Sequence, residues 1–169
     1  MGIGTAGRST SAFLGQTTSS SVDVAATLRI NKIPNVGGGY FGVVGRRVGS
    51  DDYRLKVKVA PDSTLTLYTT KIVGGVETTL QVTTLTGPRY TADTKLHTRL
   101  QVTGTGTASV QAKAWLSDAI DPSSWQLSST DSTGSLQTAG SVGVHAYVSS
   151  SATNPGWVVH VDDLTAGRA

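Results

Sequence analysis

The sequence contains no cysteine, which excludes disulfide bonds, thiolate zinc sites and cysteine nucleophiles. Glu77 is the only glutamate, so nearly all of the 11 acidic residues are aspartates. Charged residues make up 15% of the chain, which excludes a coiled coil and a highly charged disordered segment. No apolar stretch approaches the roughly 18 residues that cross a bilayer as a helix, so we expect no membrane partner.

The abundant residue types favour β-structure. The 169 residues fit one domain of ordinary size, and Val and Thr far outnumber the helix-forming Lys, Gln and Glu. The net charge of +3 predicts a mildly positive surface rather than the strongly basic one of a nucleic-acid-binding protein. We therefore expect no nucleic-acid partner.

Alternation of apolar and polar residues predicts strands along most of the chain. In the segment 22–30 every second residue is apolar, and Asp23, Thr27 and Arg29 lie between them. Side chains of a half-buried strand point alternately inward and outward, so this pattern indicates a strand with one wet face. Similar patterns predict ten strands in all, at residues 22–30, 40–48, 53–59, 65–70, 78–84, 95–103, 109–115, 125–129, 142–148 and 157–164.

These strands define the expected domain organisation. Short strands separated by turn-forming residues predict an all-β fold, a two-layered antiparallel β-sandwich or a barrel. We assign residues 11–169 to a single β-sandwich domain and the glycine-rich residues 1–10 to a flexible N-terminal arm. The Ser/Thr-rich segment 16–21 is interpreted as a loop. The N-terminal residues lack the basic-then-apolar order of a secretory signal peptide.

The acidic residues argue against a glycoside hydrolase. The common mechanism uses two carboxylates about 5–10 Å apart. Apart from Glu77, the candidate acids lie in predicted turns, such as Asp51 and Asp52, or near the end of the chain. No Gly-x-Ser-x-Gly motif stands in a strand-to-helix setting, so a serine hydrolase is not predicted either. We expect no enzymatic activity and no catalytic residue.

The predicted metal ligands are limited to one acidic pair. The three histidines have no spacing typical of zinc ligands on one segment. Asp162 and Asp163 could contribute to a structural calcium site, which takes six to eight oxygen ligands, although no Asp-x-Asp-x-Asp cluster completes it. In the alternative interpretation, one aspartate faces solvent and the other accepts backbone hydrogen bonds. No other cofactor is expected.

Three predicted strands carry basic and amide side chains on one face. Alternation groups them as Arg54, Lys56 and Lys58; His97, Arg99 and Gln101; and Gln111, Lys113 and Trp115. If the three strands are neighbours, their outer faces form one positively charged surface that could bind phosphate or acidic polymers. The alternative is that these side chains keep an exposed sheet soluble.

Aromatic residues are few, at 6%, but several are candidates for sugar binding. Flat rings on strand faces can stack on sugars, and the same rings can also be core residues. Tyr53 and Trp125 are expected to be buried. The full set of candidate ligand-binding residues is Trp115, Tyr147, Tyr68, Lys56, Lys58, Arg99, Gln101 and Lys113.

Several segments resemble a known family of modules. They are residues 44–59, 100–105, 112–115, 125–133 and 139–154, together with the closing Val-Asp-Asp-Leu-Thr-Ala at 161–166. These segments are similar to concanavalin A-like, laminin G-like jelly-roll modules of surface proteins from high-GC Gram-positive bacteria and from their bacteriophages. The resemblance spans nearly the whole chain from about residue 20.

The resemblance implies a concanavalin A-like jelly roll with two antiparallel sheets, one of them concave, and a role in attachment or glycan recognition. Glucanase members of the wider superfamily carry a Glu-x-Asp-x-x-Glu strand that this chain lacks, so their activity does not carry over. Family members often begin with an Asp-x-Phe strand that helps to hold calcium. Here the chain opens Met-Gly-Ile-Gly-Thr-Ala instead.

These observations lead to two hypotheses. The first is a non-catalytic binding or adhesion module on the outside of a larger assembly, binding host glycan or cell-wall polymer. Its setting would be a bacteriophage virion, as a capsid decoration or tail-associated protein, or the outer surface of a bacterial cell from whose surface protein it derives. Its partners would include other subunits of that assembly and copies of itself, for example in a trimer. The second hypothesis is a purely structural sandwich.

Overall fold

Strands account for almost all of the regular structure. The computed structural model describes residues 1–87 and 89–169, and every side chain among them except that of Thr17. The only helical element in these residues is a 3₁₀ turn at Gly134–Leu136. The strands are β1 (Gly2–Ile3), β2 (Ser9–Ser19), β3 (Val22–Ile30), β4 (Gly39–Val48), β5 (Asp51–Val59), β6 (Leu65–Val73), β7 (Val76–Thr84), β8 (Leu96–Thr103), β9 (Ala108–Leu116), β10 (Leu127–Asp131), β11 (Gly140–Val148) and β12 (Trp157–Gly167).

The strands form two six-stranded antiparallel sheets that pack face to face. The order in one, the front sheet, is β2-β11-β4-β5-β6-β7, and the order in the other, the back sheet, is β1-β12-β3-β8-β9-β10. The predicted fold class, an all-β, two-sheet antiparallel β-sandwich of the concanavalin A-like jelly-roll type, is confirmed. No helix in residues 1–87 or 89–169 has the length and apolar character needed to cross a membrane.

The core follows the alternation that the sequence predicts. In β5 the burial pattern alternates strictly from Tyr53 to Val59, and in β8 it alternates along the whole strand. The inward side chains of both sheets meet in one apolar cluster, which includes Leu28, Leu55 and the fully buried Trp157. The sandwich is thus stabilised mainly by removing these side chains from water. All ten predicted strands are present, although β10 begins at Leu127 rather than at Trp125.

The N-terminal segment differs from its prediction as a flexible arm over residues 1–10. Gly2–Ile3 pairs with β12, the ammonium group of Met1 donates a hydrogen bond to the carbonyl oxygen of Val159, and Ile3 is buried in the core. The segment 9–19 forms the edge strand β2. The prediction of a loop at residues 16–21 is therefore wrong for residues 16–19, which belong to this strand. The sequence gives no signal for this strand, because β2 lies at the edge of the sheet and its Ser and Thr residues do not alternate with apolar ones.

Arg46 connects three loops at one end of the sandwich. A β-bulge in β4 places it at a φ of 49°, and its side chain is fully buried. The guanidinium donates hydrogen bonds to the carbonyl oxygens of Ser20, Gly104 and Leu136. Burial lowers the pKa of this guanidinium from its usual value. The hydrogen bonds compensate for the loss of hydration that burial causes.

We predict that Arg46→Met lowers the free energy of unfolding by about 3 kcal/mol, because three carbonyl groups, of Ser20, Gly104 and Leu136, lose their common donor. Chemical denaturation followed by tryptophan fluorescence measures this change. The adjacent and partly exposed Arg47, which bonds the carbonyl of Gly49, provides the control. Arg47→Met should cost less than about 1 kcal/mol. Equal effects of the two substitutions would contradict the role assigned to Arg46.

Candidate functional site

The residues predicted to bind ligand lie on two opposite faces of the sandwich. The condition for one continuous basic surface, that the three strands are neighbours, is not met, because β5 belongs to the front sheet whereas β8 and β9 belong to the back sheet. Alternation determines which side chains share a face of a strand, but it does not determine which sheet the strand joins. Four of the predicted residues lie on the front face, namely Lys56, Lys58, Tyr68 and Tyr147. The other four lie on the back face, namely Arg99, Gln101, Lys113 and Trp115.

The front face contains the larger opening. It is a depression of about 400 Å³ on the outer face of the front sheet. Two of the predicted residues, Lys56 and Tyr147, line it. The other lining residues are Ser9, Tyr40, Arg54, Glu77 and His145. Of these, only Arg54 belongs to a face for which ligand binding was predicted from the sequence.

Strand register explains why these side chains meet. Across the sheet, His145 of β11 lies opposite Gly42 of β4, which lies opposite Lys56 of β5. Because Gly42 has no side chain, the space between His145 and Lys56 stays open. A Cβ atom at Gly42 would come within 1.9 Å of the carbonyl oxygen of Leu55, so a larger residue would force β4 and β5 apart. Glycine is therefore required here by close packing of the strands.

Tyrosine rings form one side of the depression. In the next register row Tyr147 lies opposite Tyr40, and their ring centroids are 5.8 Å apart with an interplanar angle of 43°. The ammonium group of Lys56 lies 5.3 Å from the ring centroid of Tyr40 and 5.4 Å from that of Tyr68. These distances are typical of cation–π contacts. The rings are held in place and offer apolar surface beside charged groups.

Two ion pairs form the other side. Arg54 donates two hydrogen bonds to the carboxylate of Asp52, from Nε to Oδ1 at 2.6 Å and from Nη2 to Oδ2 at 2.9 Å. Asp52 is fully buried, and desolvation is the main reason why its pKa is raised. The ammonium group of Lys56 is paired with the carboxylate of Glu77 on the edge strand β7. Both carboxylates near the depression are thus already held by cations.

His145 is the most unusual group in the depression. It is only 3% exposed, and its Nε2 atom has no hydrogen-bond partner among the described residues. Desolvation, with smaller contributions from the nearby charges of Arg54 and Lys56, lowers the pKa of His145 to about 3. The imidazole is therefore neutral at physiological pH and has one donor and one acceptor nitrogen. A buried polar atom without a partner is costly, and here it belongs to a residue that lines the depression.

The back face is already satisfied by internal contacts. Arg99 donates hydrogen bonds to both carboxylate oxygens of Asp23, at 2.9 and 2.6 Å, and Gln101 bonds to the same carboxylate. Lys113 is held by Asp121 at 2.5 Å and is largely buried. Trp125 is only partly buried rather than in the core, and Trp115 stacks on His97 at 5.2 Å. Few of these groups are free for a ligand.

Among the described residues, no third acidic or histidine ligand lies beside the predicted calcium ligands Asp162 and Asp163. The carboxylate of Asp162 lies 4.0 Å from the guanidinium of Arg29, and Asp163 occupies a bulge of β12 with a φ of 52°. Within residues 1–87 and 89–169, no three histidine or acidic side chains gather as a metal site would require. A calcium ion at this pair would need ligands beyond those that the described residues supply.

Comparisons with known proteins place this fold among carbohydrate-binding modules and lectins. No family model and no curated protein matches the chain. The carbohydrate-binding module CBM66 from Bacillus subtilis is similar over 92% of this chain and 81% of its own, with a TM-score of 0.57 and 12% identity. The CBM2 module of the evolved Dit of Lactobacillus casei BL23 phage J-1 is similar over 94% and 67%, with a TM-score of 0.55 and 14% identity.

A homodimeric agglutinin from chicken liver, CG-16, is also similar, over 94% of this chain and all of its own, with a TM-score of 0.54 and 10% identity. Glycoside hydrolases of family GH43 match as well, but the chain spans only 28% of their length. At identities this low the likeness shows the fold alone. Function has to be argued from the depression on the front face.

We predict that His145 makes the protein less stable in mild acid. The pKa of His145 is lowered from 6.5 to about 3 by folding. Between these values the unfolded chain binds a proton that the folded protein does not. The free energy of unfolding should therefore fall as the pH falls from 6.5 to 4.5, and by about 2 kcal/mol more in the wild type than in His145→Gln. Urea denaturation at the two pH values measures this, and equal losses would contradict it.

Proposed function

We propose that the protein is a non-catalytic carbohydrate-binding module whose site is the depression on the front face. The observation that carries the proposal is the buried, unpartnered Nε2 atom of His145 beside the paired rings of Tyr40 and Tyr147. Sugars combine apolar ring faces with many hydroxyl groups. A site for them needs flat apolar surface and hydrogen-bonding groups at its edge, and this depression provides both.

Each part of the depression has a role in this proposal. The tyrosine rings pack against one face of a sugar. Neutral His145 exchanges a hydrogen bond with a hydroxyl group, which satisfies its buried nitrogen. Arg54 and Lys56 donate to sugar oxygens, and Glu77 accepts from a hydroxyl group. Because Asp52 is buried against Arg54 and Glu77 is paired with Lys56, neither is a free acid or nucleophile, and this supports binding without hydrolysis.

We predict that Tyr147→Ala and His145→Ala each weaken glycan binding about tenfold, because each removes a contact worth about 1.4 kcal/mol. A glycan array identifies a ligand, and isothermal titration calorimetry measures the affinities. The matched control is Trp115→Ala on the back face, which should bind like the wild type. Circular dichroism and thermal melting establish that the variants are folded.

Three outcomes distinguish the hypotheses. Loss of binding in Trp115→Ala but not in Tyr147→Ala would move the site to the back face. Absence of any glycan ligand at millimolar concentrations would favour the purely structural sandwich. Hydrolysis of a bound oligosaccharide would show that the module is an enzyme.

We also propose that the module is displayed on the outside of a larger assembly, either a bacteriophage virion or a bacterial cell surface. The similarity to a module of a phage J-1 Dit supports the virion, as a tail-associated or capsid-decorating component. In this setting the front face points outward, and copies of the chain sit side by side, as in a trimer. Many weak sites on one particle would bind a polymeric glycan far more tightly than one site does.

Two measurements test this setting. We predict that mass spectrometry of purified virions detects the chain, and that electron microscopy with an antibody against it labels the particle surface. Light scattering of the purified protein measures whether it forms trimers. Absence of the chain from purified particles, together with its recovery from the cell envelope, would instead support the cell-surface alternative.

A further inference from the structure

We propose that the glycan bound at the front depression is acidic, and that its carboxylate or phosphate group binds between Lys58 and Lys56. This inference rests on the proposed function and names the class of sugar that the site takes. It comes from the balance of charge along β5, where one of three aligned cations has no carboxylate partner among the described residues.

Strand β5 aligns three cations on its outer face, of which Arg54 and Lys56 line the depression and Lys58 lies beside Tyr40. Arg54, Lys56 and Lys58 lie at alternate positions, which places them about 7 Å apart along the strand on the same face. Arg54 is neutralised by buried Asp52. Lys56 shares its charge with Glu77, whose side chain is 36% exposed on the edge strand. The residues opposite these three cations on β4 and β6 are uncharged.

Lys58 lacks an anionic partner. Its ammonium group makes a cation–π contact with Tyr40, 5.8 Å from the ring centroid. Among the described residues, no carboxylate lies within 4.0 Å of this ammonium group. One uncompensated positive charge therefore stands beside the tyrosine pair, at the side of the depression where a stacked sugar would carry its substituents.

On the back face, the cations in the middle of the sheet are paired. Arg99 is neutralised by Asp23 and Lys113 by Asp121. Near the end of that face, Arg29 lies between Asp93 and Asp162. The charge of Lys58, by contrast, lies next to the ring of Tyr40, which lines the front depression.

The remaining groups at the depression suit an anion. His145 is neutral, so it can place its single proton on Nε2 and donate to a bound oxygen. An anion between Lys58 and Lys56 is also shielded from Glu77, because Lys56 lies against that carboxylate. Charge-assisted hydrogen bonds are about twice as strong as neutral ones, so the ammonium group of Lys58 favours an anionic group over a hydroxyl group.

Two pairs of probes test the inference by titration calorimetry. The carboxylate pair is an oligogalacturonate and its methyl ester, which has the same sugars without the charge. The phosphate pair is a poly(glycerol phosphate) and an uncharged glycerol oligomer of equal length. We expect at least one acidic probe to bind about tenfold more tightly than its neutral counterpart at physiological salt, with the difference shrinking at 1 M NaCl.

Substitutions of one lysine localise the effect. Lys58→Gln should weaken binding of the acidic probe about tenfold and change binding of the neutral probe by less than about twofold. Lys58→Arg, which retains the charge, should restore most of the affinity. Lys95→Gln, which removes an exposed charge at the end of β8 in the back sheet, is the matched control and should bind like the wild type.

The outcomes separate this inference from the proposed function. Equal affinity for the acidic and neutral members of both pairs would overturn the acidic ligand while leaving the carbohydrate-binding module in place. Equal losses in Lys58→Gln and Lys95→Gln would overturn it too, because the attraction would then be to net charge alone. Absence of binding to all four probes would also overturn it, and the glycan array then decides the proposed function independently.

Discussion

The structure depends on one constraint, which is that each sheet buries a single face. The inward side chains of the central strands are covered by the opposite sheet, and this removes from water the apolar cluster that includes Leu55, Leu100 and Trp157. The outward side chains are not part of this core, although strand pairing still constrains outward positions such as Gly42. The front and back faces can therefore differ in charge and shape while the same core supports both, and recognition can evolve on one face without cost to the other.

On the front face, the absence of side chains matters as much as their presence. Gly42 and Gly143 both occupy outward positions, where Gly143 lies opposite Phe13 and Gly42 lies opposite Lys56. A Cβ atom at Gly143 would approach the carbonyl oxygen of Ala12 to 2.3 Å. These glycines let strands β2, β11, β4 and β5 lie close together, and they leave open space between longer side chains. A flat sheet thereby acquires a depression without an inserted loop.

The sequence predicted the class of fold and most strands because burial of one face leaves a two-residue period, as in β3 and β5. It could not predict β2, whose exposed edge has no such period, nor that β5 and β8 lie in different sheets. Sheet order is set by pairing between distant strands, which leaves no local pattern. The depression did have a signal that went unused: alternation places Gly143, His145 and Tyr147 on one face of β11, and glycines on an outward face indicate an opening.

His145 distinguishes the depression from the other polar groups that lack partners. Several buried atoms among the described residues have none, including Thr69 Oγ1 in the core and Trp157 Nε1. None of those residues lines the depression, whereas His145 does. An unpartnered atom enclosed by protein can only lower stability. Under the proposed function, a sugar hydroxyl group would supply the missing hydrogen bond of His145, and part of the stability lost in the free protein would be regained on binding.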